Sequence, residues 1–204
     1  MISFIVSAFD RPLLLPGCLW SLAAQTHKDF EVIVTDNATD PKIAAQHKRA
    51  VEMVRDWSPE FARRFKYVRT ANKIEVSDCY WAAEYAIKHH ARGNWYCFPC
   101  DDSYYVPDFA RRMLTAAYQH GWEFVICGQA VVGPEASGGS GYRVWNQTPG
   151  KSIKTTFMVK ANKFPGFAGK PSIPQAMAAD YAFTATAART LPWGTVNETM
   201  VCHN

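Results

Sequence analysis

A chain of 204 residues, 48% of them hydrophobic, can bury one sizeable core but is too short for two full domains. Its formal charge of +4 is mild, and basic residues cluster only at Arg63-Arg64-Phe65-Lys66 and Arg111-Arg112, which excludes the dense basic stripe of a nucleic-acid groove. No apolar run nears the ~20 residues of a membrane span, and the first strand lacks the charged lead of a signal peptide, so the expectation is a cytoplasmic chain without a membrane span, peripheral contact being left open.

Ile2 to Ala8 reads as a buried first strand, broken by Phe9-Asp10-Arg11-Pro12. Leu15, Cys18, Leu19, Leu22 and Ala23 then recur at helical spacing, with Pro16 tolerated only in a first turn. Phe30 to Thr35 is the second strand, ending at Asp36-Asn37. A helix over Lys42 to Trp57 stops at Ser58-Pro59, because the residue before a proline leaves the helical region. Phe65 to Arg69 is a third strand. The next helix follows Ser77-Asp78, with an apolar face of Trp81, Ala82, Tyr85 and Ala86 and with Gly93 as its expected C-cap.

Trp95 to Phe98 is again a buried strand, which Pro99 ends. Asp101 and Asp102 follow, and Pro107 stands ready to open a helix over Phe109 to Leu114. Adjacent carboxylates repel, and a hard cation with oxygen ligands, Mg²⁺ or Mn²⁺, offsets that repulsion. The alternative is a solvated turn whose aspartate caps the helix. Trp122 to Gly128 is a further strand. Each step so far is strand, helix, strand, which predicts an α/β fold with a mainly parallel sheet covered on both faces.

Beyond it the pattern loosens. Gly133 to Gly141 reads as a glycine-rich loop, either a lid or a plain surface hairpin. Thr155 to Val159 is a strand candidate, Phe164 to Gly169 a turn cluster, Pro174 to Arg189 a helix carrying Asp180, and Thr199 to His203 a short closing strand. The six cysteines lie mostly inside apolar segments, the pattern of reduced buried thiols. Cys97 and Cys100 form a lone C-x-x-C without a second pair at zinc spacing.

Taken together, Ile2 to Pro12, Phe30 to Asn37, and Ala91 to Phe109 with its Asp101-Asp102 resemble a family 2 glycosyltransferase. The likeness covers about residues 2–40 and 78–116 and afterwards rests on Asp180 and His203. It implies a GT-A type αβα sandwich around a Rossmann-like sheet, in a single domain over 1–204. Residues 1–128 would form the nucleotide-sugar-binding half, and 129–204 a smaller, irregular acceptor side. The implied reaction moves a sugar from a nucleoside diphosphate sugar to a hydroxyl of a saccharide or lipid-linked acceptor, with inversion and with Mn²⁺ or Mg²⁺.

Roles carried over by the resemblance place Asp36 against the ring N–H of the base, Phe9 stacked on that base, and Ser7 on the same segment. Asp102 falls on the metal ligand and Asp101 on the ribose or a metal-bound water. Cys100 stands where the family often has its first acid, and sulfur is a poor ligand for a hard cation. Asp78 lies where some relatives place a basic residue near the base, and it either accepts from a different base or caps the helix. Asp180 corresponds to the general base that takes the acceptor's proton, and His203 to a ligand of metal or diphosphate. Tyr104, Tyr105, Trp145 and Trp193 are candidates for an acceptor platform or for packing. A catalytically silent module of the same fold is the alternative function. A nucleotidyltransferase is a weaker one, since Ala8 to Pro12 offers its triphosphate only Arg11.

Overall fold

The computed structural model describes residues 1–70, 78–132, 142–145, 148, 156–167 and 176–203. Its sheet runs in the order β3-β2-β1-β4-β8-β6-β9-β5, with β7 paired to β6. The strands are β1 (Ile2–Ala8), β2 (Phe30–Asp36), β3 (Phe65–Arg69), β4 (Trp95–Cys97), β5 (Ser103–Tyr105), β6 (Phe124–Val132), β7 (Tyr142–Trp145), β8 (Phe157–Lys160) and β9 (Trp193–His203). The helices are α1 (Leu15–Ala23), α2 (Pro41–Trp57), α3 (Pro59–Arg64), α4 (Asp78–His89), α5 (Phe109–His120) and α6 (Ala176–Thr190). Strands β3, β2, β1 and β4 are mutually parallel. β8 runs against them, and β6 and β9 resume their direction, so the sheet is mainly parallel as the strand-helix alternation requires.

Successive residues of β1 feed opposite faces. Phe4 and Val6 join Leu15, Leu19 and Leu22 of α1, Val51 and Val54 of α2, and Phe109 and Met113 of α5. Ile5 joins Ala83 and Ala86 of α4, Phe183 of α6, and a group of rings that includes Phe98, Phe157 and Phe167. Phe98 lies 4.9 Å from Phe167 edge-on, and Phe157 stacks on Phe183 at 5.1 Å. Those contacts lock α6 onto the sheet, each pair contributing about 0.5–1.5 kcal/mol beyond area burial.

Several expectations are corrected. Trp81 and Tyr85 do not form the buried face of α4; they stack on each other at 5.6 Å on its outer side, while Tyr80, Ala82, Ala83 and Ala86 are buried. Gly93 is not the C-cap, since α4 ends at His89 and the N–H groups of His90 and Ala91 both bond to Ala86. Instead Gly93 passes so close to β1 that a Cβ there would lie 2.6 Å from the Ser3 backbone nitrogen. Ser58 both ends α2 and caps α3, its hydroxyl accepting from Phe61 N–H with Pro59 in the first turn. Pro107 precedes the N-cap of α5, which is Asp108. Tyr105 is a packing residue, edge-on to Phe109 at 4.7 Å. The predicted loop Gly133 to Gly141 lies outside the described residues. None of the helices in the described residues is long and apolar enough to cross a membrane.

Candidate active site

The chain lays β2 and β3 on one side of β1 and then returns to place β4 on the other. The strand order reverses between β1 and β4, and in open α/β sheets ligands bind in the crevice outside the carboxyl ends of the strands at such a switch point. Two backbone bonds set its walls. Ser7 N–H donates to Pro99 O, and Asp101 N–H donates to Ser7 O, at 3.0 and 3.1 Å. Cys100 thereby continues the parallel alignment opposite Ser7 after Pro99 has ended β4.

Asp101 and Asp102 hang from that wall with both side chains buried. They are neither a solvated turn nor the cap of α5. Asp101 Oδ2 accepts from Phe9 N–H at 3.1 Å, and its Oδ1 lies 2.6 Å from Arg11 Nη2. The other terminal nitrogen of Arg11 contacts Asp102 Oδ2. One guanidinium therefore bridges both acids, its fork geometry matching two oxygens in different side chains. Ser7 is buried beside this wall, and Phe9 is half-buried with its N–H already engaged.

Asp36 closes β2 on the far side of β1. Its Oδ1 accepts from Ala38 N–H at 2.8 Å and its Oδ2 from Tyr67 Oη at 2.5 Å. The buried His47 puts Nδ1 3.1 Å from Oδ1 without the alignment of a hydrogen bond, and Arg69 Nη1 stands at 3.5 Å. Burial pushes the Asp36 carboxyl up, but His47, Tyr67 and the Ala38 N–H outweigh it and hold it below the ordinary value. Burial raises the Tyr67 phenol, and the hydrogen bond to Asp36 raises it further.

Asp180 is buried on the inner side of α6, not exposed on a helix surface. Burial raises the Tyr80 phenol well above its usual range, and the charge of Asp180 and the thiol of Cys79 add to this. A hydrogen bond to Asp180 and the nearby Cys100 contribute in turn. Tyr80 thus ties α4 to Asp180 on α6. Its ring is fixed against Phe167 at 4.8 Å.

His203 ends β9 with its backbone in register with Ser103, next to Asp102, while its side chain lies outside the described residues. Asp78 opens α4, and its side chain and that of Trp145 also lie outside them. Trp193 opens β9 opposite Phe124, at the other end of that strand from His203. The structure thus brings Ser7, Phe9, Asp101 and Asp102 together at the β1–β4 switch point, with Asp36 one strand away and Asp180 on α6 beside Tyr80. Sequence reasoning missed Arg11 as the partner of the acids, Tyr80 as the partner of Asp180, and Tyr67, Arg69 and His47 around Asp36. Only Arg11 carried a signal, a lone cation in the turn after β1.

Among the described residues no group of three or more His, Cys, Asp and Glu forms a ready-made metal cage. Two buried carboxylates nevertheless suit a hard ion such as Mg²⁺, which is usually held by one or two carboxylates together with substrate phosphates. Their oxygens match its chemistry, whereas the sulfur of Cys100 does not.

Residues 3–173 match the family described as Glycosyl transferase family 2. An uncharacterized glycosyltransferase of Haemophilus influenzae is 23% identical over 122 residues, 59% of this chain and 35% of that protein. TarS 1-349 of S. aureus, solved with UDP-GlcNAc, superposes with a TM-score of 0.75 at 18% identity, over 98% of this chain and 57% of its own. The mannosyltransferase PcManGT from Pyrobaculum calidifontis, solved with GDP-Man and Mn²⁺, gives 0.70 at 17% identity, over 99% and 56%. The chain spans less than two thirds of each of these relatives. At such identities the likeness to the solved structures is one of fold, and that fold is GT-A.

Proposed function

This chain belongs to glycosyl transferase family 2, and on that premise we propose that it moves a sugar from a nucleoside diphosphate sugar to an acceptor hydroxyl, with inversion and with a divalent metal. The observation that carries the reading is the buried Asp101-Asp102 pair at the β1–β4 switch point. Asp102, with Asp101 beside it, would hold Mn²⁺ or Mg²⁺, and His203 is the further candidate ligand. When bound, the metal neutralises charge on the leaving diphosphate.

The chain's own residues supply the rest. Asp36 and Phe9 receive the base, Asp36 through the acceptor capacity that Tyr67 leaves on Oδ2, with Ser7 and Asp78 on the flanks. Asp180 takes the proton of the attacking hydroxyl, which must approach opposite the leaving group for inversion. The hydrogen bond from Tyr80 orients that carboxylate. Burial of Asp180 supports this role, since a carboxylate excluded from water keeps its acceptor strength for substrate. We read 1–204 as a single domain, with the donor half over 1–128 and the acceptor side over 129–204. The acceptor is a saccharide or a lipid-linked sugar.

A second reading has one observation in its favour. Arg11 already supplies a counter-charge to the acids and Cys100 stands where the family often has an acid, as a catalytically silent nucleotide-sugar module would tolerate. The test is a thermal-shift panel of UDP, GDP, dTDP and CDP with Mn²⁺, Mg²⁺ or chelator, beside an assay for released nucleoside diphosphate with an acceptor panel. Ligand at 100 Kd adds roughly 2.7 kcal/mol of stability. The enzyme reading expects a shift that needs metal, is lost in Asp102→Asn, and is accompanied by diphosphate release. Binding without release from any acceptor favours the silent module.

A further inference from the structure

In the crevice, the counter-charge of the two acids comes from the chain itself. Arg11 reaches both Asp101 and Asp102 from the loop after β1, its side chain 47% exposed while both acids are buried. Burying adjacent carboxylates without compensation is strongly unfavourable, so the pair depends on a nearby cation. A divalent ion on the same oxygens would face the guanidinium at contact distance, where like charges repel. Both cations cannot hold Asp101 Oδ1 and Asp102 Oδ2 together.

We propose that Arg11 is a resident counter-cation that a divalent metal must displace, and that the displaced guanidinium then binds the donor's diphosphate. This rests on the metal-assisted reading above. Formal charge supports the exchange. Two carboxylates and Arg11 sum to −1; adding a divalent ion and a donor diphosphate of charge −2 again gives −1. Metal and donor therefore enter together without changing the site's charge, whereas metal alone leaves a surplus of +1. The guanidinium fork pairs with phosphate oxygens as well as with carboxylates, so Arg11 exchanges one bidentate partner for another. No covalent bond forms or breaks. Arg11 acts as a specificity residue that makes metal binding conditional on donor.

The experiment is a Mn²⁺ titration followed by electron paramagnetic resonance on the wild type, Arg11→Gln, Arg11→Lys and Asp102→Asn, first without nucleotide. UDP and GDP titrations at saturating Mn²⁺ follow. Arg11→Gln is expected to bind Mn²⁺ about tenfold tighter than the wild type without nucleotide, and to bind the nucleoside diphosphate about tenfold more weakly. Arg11→Lys keeps the charge but loses the fork, so it is expected to fall between the two in both titrations. Equal or weaker Mn²⁺ affinity in Arg11→Gln, or unchanged diphosphate affinity, overturns the proposal. If Arg11→Gln does not fold, Arg11→Lys decides, and wild-type values in both titrations overturn it. Asp102→Asn separates the two levels. Wild-type Mn²⁺ affinity there overturns the metal reading itself, whereas its loss beside an unaffected Arg11→Gln overturns only the role of Arg11.

Discussion

Tyr67 Oη donates a 2.5 Å hydrogen bond to Asp36 Oδ2, pinning the last side chain of β2 from the neighbouring strand β3. Tyr67→Phe should destabilise the fold by roughly 1.5–3 kcal/mol, the range for hydrogen bonds to charged groups. The folded pKa of Asp36 is depressed, so its contribution is fully present above the ordinary carboxylate value and is lost as pH falls through the depressed one. Without Tyr67 the folded value rises toward the ordinary one, and the acid limb of the stability curve moves to higher pH. Urea unfolding of both proteins across the acid range checks this. A constant offset with an unmoved acid limb counts against Tyr67 as the group that holds Asp36 ionised.

Asp180→Asn keeps shape and hydrogen-bonding reach but cannot take a proton. Sugar transfer should fall about 10²–10⁴-fold while donor binding stays near wild type. Tyr80→Phe should lower transfer less, about tenfold, since it removes only the group that orients the carboxylate. Diphosphate release and donor titration, run on both variants, decide. Transfer at the wild-type rate in Asp180→Asn removes Asp180 from the mechanism.

Cys100→Asp would set a third acid beside Asp101, opposite Ser7. More carboxylate oxygen should tighten Mn²⁺ binding, and the added repulsion should lower stability in chelator by about 1 kcal/mol. Chemical denaturation with chelator and with Mn²⁺ gives both quantities. The same metal affinity in variant and wild type would show that the side chain at 100 points away from the ion.

Two glycines give a purely structural prediction. Gly93→Ala forces a Cβ to within 2.6 Å of Ser3, against backbone that cannot turn aside, so about 3 kcal/mol of destabilisation is expected. Gly121 has φ +67 at the C-cap of α5, with open space around it. Gly121→Ala meets only backbone strain, about 1 kcal/mol. Equilibrium unfolding should rank Gly93→Ala as the more damaging, and the reverse order would put the close approach to β1 in error.

Local chemistry made much of this protein legible in its sequence. The apolar runs of β1, β2 and β4, the periodicity of α1 and α2, and the alternation of strand with helix follow from short-range rules. So does the placing of Asp36, Asp101 and Asp102 at strand ends. Short or polar elements escaped the same rules: β5 has three residues, and the first half of β9 is held by pairing with β6 and by Gly194 under the Trp122 ring. The partners of the acids also needed the tertiary structure. Arg11 meets Asp102 across 91 positions, Tyr67 meets Asp36 across 31, and Tyr80 meets Asp180 from a different helix. An isolated arginine or tyrosine looks the same in sequence whether it faces water or a buried carboxylate. Only the order of strands in the sheet decides which charges are brought within reach, because desolvation and Coulomb energy depend on distance in space and not along the chain.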